Sequence, residues 1–346
     1  MGSQRGSTTD AAVWVRLSHR RADSGRAVSR DARTEPLRPD AKTRGARAIH
    51  SPSARRNHPE HLTRIFDGAV TAATFETPNT LSPSRISAFR NCPLQFRFAS
   101  LEKLPQPPQI HLVKGNFVHR VLELLLGHEP ENRTVESARE AFATARAEYE
   151  PSNRFLALGL SDDAREAFFK DSRDLVNGYY RMENPRNANV IGLELRIDSD
   201  FGRFKLGGII DRLERNEKGE LVVSDYKTGR VPDARFGDNK MDNMQIYASL
   251  CLRERGELPK KLRLMYLKTS TPIEFDVTSE TNEACERAAI DTFEQIDASC
   301  QSGVFATKKS GLCNSCAFKK WCPEFGGDDS LAKVEAPKLY PTIPRD

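Results

Sequence analysis

The chain has 346 residues, 38% hydrophobic and 29% charged, with a formal net charge of +5. That composition can bury a sizeable core, and no apolar run approaches the ~20 residues of a membrane-spanning helix. Residues 1–65 hold 14 Lys+Arg against 6 Asp+Glu, a balance of +8 that leaves −3 for the rest. Global charge therefore gives no argument for nucleic-acid binding by the folded body. No secretory signal precedes the seven cysteines, so a cytoplasmic protein with reduced thiols is expected.

Residues 1–75 are rich in Arg, Ser, Ala and Pro without a sustained apolar period and read as a disordered basic extension. Folded structure is expected from Leu81, where Ser82 caps a helix with Pro83 at its first position and Ile86, Phe89 and Phe96 follow at helical spacing. Residues 115–127 form a second helix, on which His119 and Glu123 stand four apart and share a face. A histidine on so apolar a helix is ordinarily a core residue.

Helical patterns over residues 136–149 and 162–182 make an inserted pair, residues 130–185, with Phe168, Leu175, Tyr179 and Tyr180 read as core rather than as stacking groups. Residues 190–197 read as a strand carrying Glu194, where a solvated strand end weighs as much as a functional acid. Residues 204–213 and 220–225 read as two strands joined by turn chemistry at residues 216–219. A polar loop over residues 230–243, a helix over 244–254, a closing strand over 261–269 and a long helix over 282–302 follow, and residues 326–346 read as a disordered tail.

The hairpin concentrates the chemistry. Side chains alternate along a strand, so Asp225 and Lys227 share one face while Tyr226 takes the other, and Asp211 need only point the same way. Two carboxylates on one face attract a hard cation such as Mg2+, and an ammonium beside it can orient water and offset charge on a phosphorus centre. Spacing alone equally fits a surface salt bridge.

The stretch Gly208-Ile-Ile-Asp-Arg followed by Asp225-Tyr-Lys-Thr-Gly resembles the RecB-like branch of the PD-(D/E)XK nucleases. So do Ser82-Pro-Ser with Cys92-Pro93, and the Gly-x-x-x-His-x-x-Leu-Glu run around His119. The resemblance implies an α/β fold, a restriction-endonuclease-like mixed sheet flanked by helices, within a domain at residues 81–325. It implies Mg2+ or Mn2+ held by His119, Asp211, Asp225 and the carbonyl of Tyr226, with Glu123 behind His119 and Lys227 orienting the attacking water. In the family a glutamine four residues before a tyrosine contacts substrate. Here Tyr247 fits, but Asn243 stands at the glutamine position and Gln245 is displaced by roughly 200° around the helix.

Cys313, Cys316 and Cys322 cluster near the end, and Cys92 is the natural fourth ligand, because Cys-Pro recurs at Cys322-Pro323. Similarity to AddB-type members implies a [4Fe-4S] cluster stapling the ends of the domain, with a four-thiolate Zn2+ site as the alternative. Cys251, Cys285 and Cys300 sit in helical patterns as ordinary apolar residues. The expected activity is exonucleolytic cleavage of single-stranded DNA or DNA ends in repair or recombination. No G-x-x-x-x-G-K-[ST] loop is present, so a motor would come from a helicase partner. The rival reading is a nuclease-like module that binds DNA or scaffolds a helicase without cutting.

Overall fold

The computed structural model describes residues 74–232 and 238–344, the side chains of residues 238–240 excepted. The basic extension expected over residues 1–75 lies outside the described residues except for Thr74 and Phe75. Phe75 is in place: its N–H donates to the Cys300 carbonyl at 2.9 Å, and its ring meets Phe305 edge-on.

In chain order the elements are β1 (Thr80–Leu81), α1 (Pro83–Asn91), α2 (Pro93–Phe96), α3 (Ile110–Leu126), α4 (Val135–Tyr149), α5 (Asn153–Leu156), α6 (Asp162–Met182), β2 (Asn189–Asp200), β3 (Lys205–Arg215), β4 (Leu221–Lys227), α7 (Asp238–Arg255), β5 (Lys261–Tyr266), β6 (Thr271–Asp276), α8 (Ser279–Ser302) and α9 (Ala332–Leu339). Their ends follow local chemistry. Ser82, Thr134 and Ser161 cap α1, α4 and α6 by accepting a backbone N–H of the first turn. A reciprocal Thr278–Thr281 box opens α8, and Gly303, left-handed at φ 71°, closes it.

One mixed sheet carries the strands in the order β1-β3-β4-β5-β6, with β2 on the other side of β3. β2 pairs antiparallel along all of β3, from Asp200 opposite Lys205 to Asn189 opposite Arg215. The opposite edge of β3 is divided. β1 takes Lys205 and Leu206 in parallel register, and β4 takes Arg212 to Arg215 antiparallel. Between them, residues 207–211 have no strand partner on that edge among the described residues. β4 continues parallel to β5, with Asp225 opposite Leu264 and Lys227 opposite Tyr266. α7 makes the crossover, and its Met244, Ile246, Ala248 and Leu250 enter the main core.

The residues expected as an inserted helical pair pack onto α3 around an aromatic cluster. Phe117, Phe142, Phe168 and Phe169 are all buried and meet edge to face at 5.1–5.9 Å. Tyr180 donates its hydroxyl to the Thr134 carbonyl at 3.0 Å.

Two expectations fail. The closing strand does not run through residue 269: it stops at Tyr266, and Ser270, at φ 51°, turns the chain into β6. The residues expected as a disordered tail contain α9, whose small Ala332 and Ala336, four apart, are fully buried, while Glu335 accepts the Trp321 indole N–H at 2.8 Å.

α6 rests on the β5–β6 turn so closely that a Cβ on Gly178 would sit 1.9 Å from the Leu267 carbonyl oxygen. Gly178→Ala is therefore expected to destabilise by about 1–3 kcal/mol or more despite the better helix propensity of alanine. A denaturation midpoint equal to that of the natural chain would contradict this packing.

Candidate active site

The site forms where β4 leaves β3. Beyond the pair Arg212–Ser224 the ladder stops, and the next free donor on β4, the Tyr226 N–H, is taken by the Asp211 carboxylate at 2.8 Å. A buried amide without a partner is costly, so this bond fixes Asp211 against β4. Strand alternation sets the rest. Asp225 and Lys227 point together, with the Lys227 ammonium 2.5 Å from Asp225 Oδ2, and the Tyr226 ring is buried against Tyr179 at 6.0 Å.

The glycines before Asp211 serve close approach. A Cβ on Gly208 would lie 2.8 Å from the Tyr247 ring, and the Tyr247 hydroxyl bonds the Ile209 backbone. Thus α7 lays Tyr247 across the unpaired span of β3. On the neighbouring face Arg212, fully buried, binds Glu183 and Glu214, the latter at 3.1 Å. Arg263 joins Glu214 at 3.0 Å and Ser224 donates to it at 3.1 Å. This network ties α6, β3, β4 and β5 together beneath the site.

His119 reaches in from α3. Its Nε2 stands 3.0 Å from the Tyr226 carbonyl oxygen, and its Nδ1 lies 3.4 Å from Asp211 Oδ2 and 3.9 Å from Glu194 Oε1. One ligand atom each from His119, Glu194 and Asp211 falls within 4.8 Å of the others. Glu194 is the residue that the sequence left undecided. It occupies φ 42°, a left-handed backbone position inside the strand, and lies past a bulge marked by the register shift between Val190 and Gly192. Gly192 within a strand was the available signal of such a bulge.

The electrostatics are those of crowded acids. Burial, then the Asp211 charge, pushes Glu194 up to about 7. Burial and Asp211 likewise push Asp225 up to about 6, against the pull of Lys227. Burial opposes the His119 imidazolium, yet its hydrogen bond to Asp211 and the charges of Asp211, Asp225 and Glu194 raise it to about 9. Lys227, also opposed by burial, is raised by Asp225 and held as ammonium. Two carboxylates and an imidazole converge, with the Tyr226 carbonyl on the imidazole and the Asp225 charge acting on both, a donor set that suits Mg2+ or Mn2+.

Other expected positions separate. Glu123 does not back His119; it accepts from Arg120 at 2.9 Å, because Arg120 is itself clamped by Glu148 on α4 and draws Glu123 aside. Asn243 lies one turn before Tyr247 but lines a neighbouring cavity of about 390 Å3, and Gln245 is not among the residues lining it. Cys92, Cys313, Cys316 and Cys322 line that same cavity. Burial and then the neighbouring cysteines push the Cys316 and Cys322 thiols up. Cys251 and Cys300 are fully buried in α7 and α8.

Among curated proteins the chain is similar to an ATP-dependent helicase/deoxyribonuclease protein of Streptococcus agalactiae, 24% identical over 214 residues. That alignment covers 57% of this chain and 19% of the relative, so the chain spans about a fifth of the relative's length. An uncharacterised protein of Rickettsia bellii is 23% identical over 194 residues, covering 52% of this chain and 22% of that one. The crystal structure of a candidate exonuclease from Eubacterium rectale superposes with a TM-score of 0.47 at 12% identity, over 75% of this chain and 93% of that one. No helix among the described residues is long and apolar enough to cross a membrane. A profile of the PD-(D/E)XK nuclease superfamily matches residues 80–323, which takes in the forked strand pair, His119 and all four cavity cysteines, and the chain belongs to that superfamily.

Proposed function

We propose that the protein is a metal-dependent deoxyribonuclease, acting as an exonuclease on single-stranded DNA or DNA ends. The observation that carries this is the convergence of His119, Glu194 and Asp211 on one point, with Asp225 on the adjoining strand 2.5 Å from the Lys227 ammonium. A divalent cation held by these groups and the Tyr226 carbonyl would supply Lewis-acid polarisation of the phosphodiester and acidify water. The protein does the rest. Lys227, kept cationic, orients the water that attacks phosphorus and offsets charge as the P–O bond to the leaving alkoxide breaks. Tyr247, a neutral hydroxyl beside Gly208, braces the strand over the fork. The helicase/deoxyribonuclease name of the Streptococcus agalactiae relative supports DNA as substrate and a helicase as partner.

The shared cavity of the four cysteines supports the reading that they would hold a structural [4Fe-4S] cluster. Cys92, between α1 and α2, and Cys313, Cys316 and Cys322, on successive short turns, present thiols into one cavity from the two ends of the domain. A four-thiolate zinc site has the same ligands.

Asp225→Ala and Lys227→Ala are each expected to lower cleavage of end-labelled DNA with Mn2+ by at least about 100-fold while circular dichroism stays unchanged. Near-normal cleavage by either variant would sink the mechanism. Metal binding should be strongly pH-dependent. In the metal-free protein His119 holds its proton up to about 9, Glu194 to about 7 and Asp225 to about 6. Each must lose that proton to ligate, so Mn2+ affinity rises from pH 6 to 9 and is lost as pH falls. Calorimetry in buffers of different ionisation enthalpy should read proton release at pH 7, and none would contradict the assignment. Anaerobically purified protein should be brown, with roughly four iron atoms per chain. Cys92→Ser should bleach it as fully as Cys316→Ser, whereas Cys251→Ser should keep the colour. Stoichiometric zinc without iron would decide for the alternative.

A further inference from the structure

The cavity that holds the cysteines has a rim with a different character. Its wall beside α1 and α7 is built from uncharged hydrogen-bonding side chains, among them Ser84, Ser87, Asn91 and Asn243. Lys309, Lys319 and Phe325 line the same cavity. Phe325 is 39% exposed, and the Lys319 and Lys309 ammoniums lie 4.6 and 5.4 Å from its ring centroid. Lys308, by contrast, is spent on the fold, donating to the Arg90 carbonyl at 2.8 Å.

A lone exposed phenylalanine calls for no explanation. This one is rigidly placed: its N–H bonds the Cys322 carbonyl at 2.9 Å, and Gly326 at φ 77° turns the chain immediately after it. It also shares its cavity with residues of α1 and α7, the helices that reach the candidate active site. Asn243 on the rim and Tyr247 over Gly208 are one helical turn apart, roughly 6 Å along α7. On α1, Ser84 lines the cavity, while Pro83 lies 3.3 Å from where a Cβ on Gly208 would be. Amides and hydroxyls that can meet base edges, two ammoniums that can meet phosphates, and an aromatic face are the chemistry of a single-strand groove.

We propose that Phe325, with Lys309 and Lys319, stacks a nucleobase of single-stranded nucleic acid a few nucleotides from the scissile bond, and that the α1–α7 wall guides the strand between the two. This rests on the nuclease reading and names the substrate contact that it lacks. The strand would leave the active site past Tyr247 and over the cavity rim, with Glu324 the one carboxylate among the described residues lining that cavity.

Binding of fluorescein-labelled oligothymidylate to the full chain, followed by anisotropy in EDTA, tests this without cleavage. Phe325→Ala should weaken binding by about tenfold, within the range of aromatic–base stacking, and Phe325→Trp should retain it. Replacing Lys309 and Lys319 together with alanine should flatten the slope of log K against log salt by about 1.4. Unchanged affinity in Phe325→Ala, or an equal loss in Phe325→Trp, overturns the stacking role, and an unchanged salt slope overturns the lysines' part. Cleavage by the natural chain with Mn2+ is scored separately. Cutting by a chain whose binding ignores Phe325 defeats only the guide. Phe325-dependent binding without any cutting defeats the nuclease reading and supports the guide.

Discussion

The Tyr226 N–H that Asp211 accepts is the contact on which the site turns. β3 can offer only one edge to β1 and β4, and the two occupy opposite ends of it. The strands must therefore part, and parting strands leave a backbone donor unpaired inside the protein. Asp211 satisfies that donor, and in doing so it is pinned beside Asp225 on β4 and His119 on α3. The acid that would ligate a cation is thus also the acid that closes the sheet. Gly207 and Gly208 belong to the same constraint, since side chains there would run into Asp198 on β2 and Tyr247 on α7.

Gathering carboxylates this way sets them against each other. Glu194 and Asp225 are both pushed toward their neutral forms, and two cations, Lys227 and protonated His119, partly compensate. A divalent cation would replace the protons and relieve the repulsion between acids, so the metal-free site carries its own driving force for binding. Such a cluster needs rigid support to keep the acids together. The Arg212–Glu183–Glu214–Arg263 network supplies it, because fully buried Arg212 holds Glu183 and Glu214 together and losing either acid would leave its charge less compensated.

The hairpin was legible because its signals are local: period-two alternation, an Asn216–Gly219 turn in which Asn216 Oδ1 accepts the Lys218 and Glu220 N–H groups at 3.0 Å, and an acid and a lysine on alternate residues at the strand end. His119 needed the family resemblance, since nothing in a 17-residue apolar helix tells a ligand from a core histidine. Glu194 stayed undecided because its backbone is left-handed at φ 42°, a conformation that a glutamate inside a strand does not announce. β6 escaped because its turn uses Ser270 at a position where glycine or asparagine would have been the signal; the backbone is held there by Arg181, whose Nε donates to Ser270 Oγ at 2.9 Å. α9 escaped because two alanines make a weak apolar pattern, and only the partner surface shows that they are buried.

The two ends of the domain are joined by direct contacts. Leu94 N–H donates to the Ala306 carbonyl at 3.1 Å, Lys308 to that of Arg90, and Arg97 pairs with Asp329 at 2.8 Å, each across more than 200 residues. The chain-entropy cost of closing so long a loop grows only logarithmically with its length. A cluster on Cys92, Cys313, Cys316 and Cys322 would therefore reinforce a closure that packing has already made. Its larger consequence would be positional: Cys322 and Phe325 share one short turn, and Cys92 ends the helix whose other end presses on Gly208. Fixing those cysteines would fix the rim of the cavity relative to the forked strands, so a staple there would bear on the proposed route of a strand as well as on the closure.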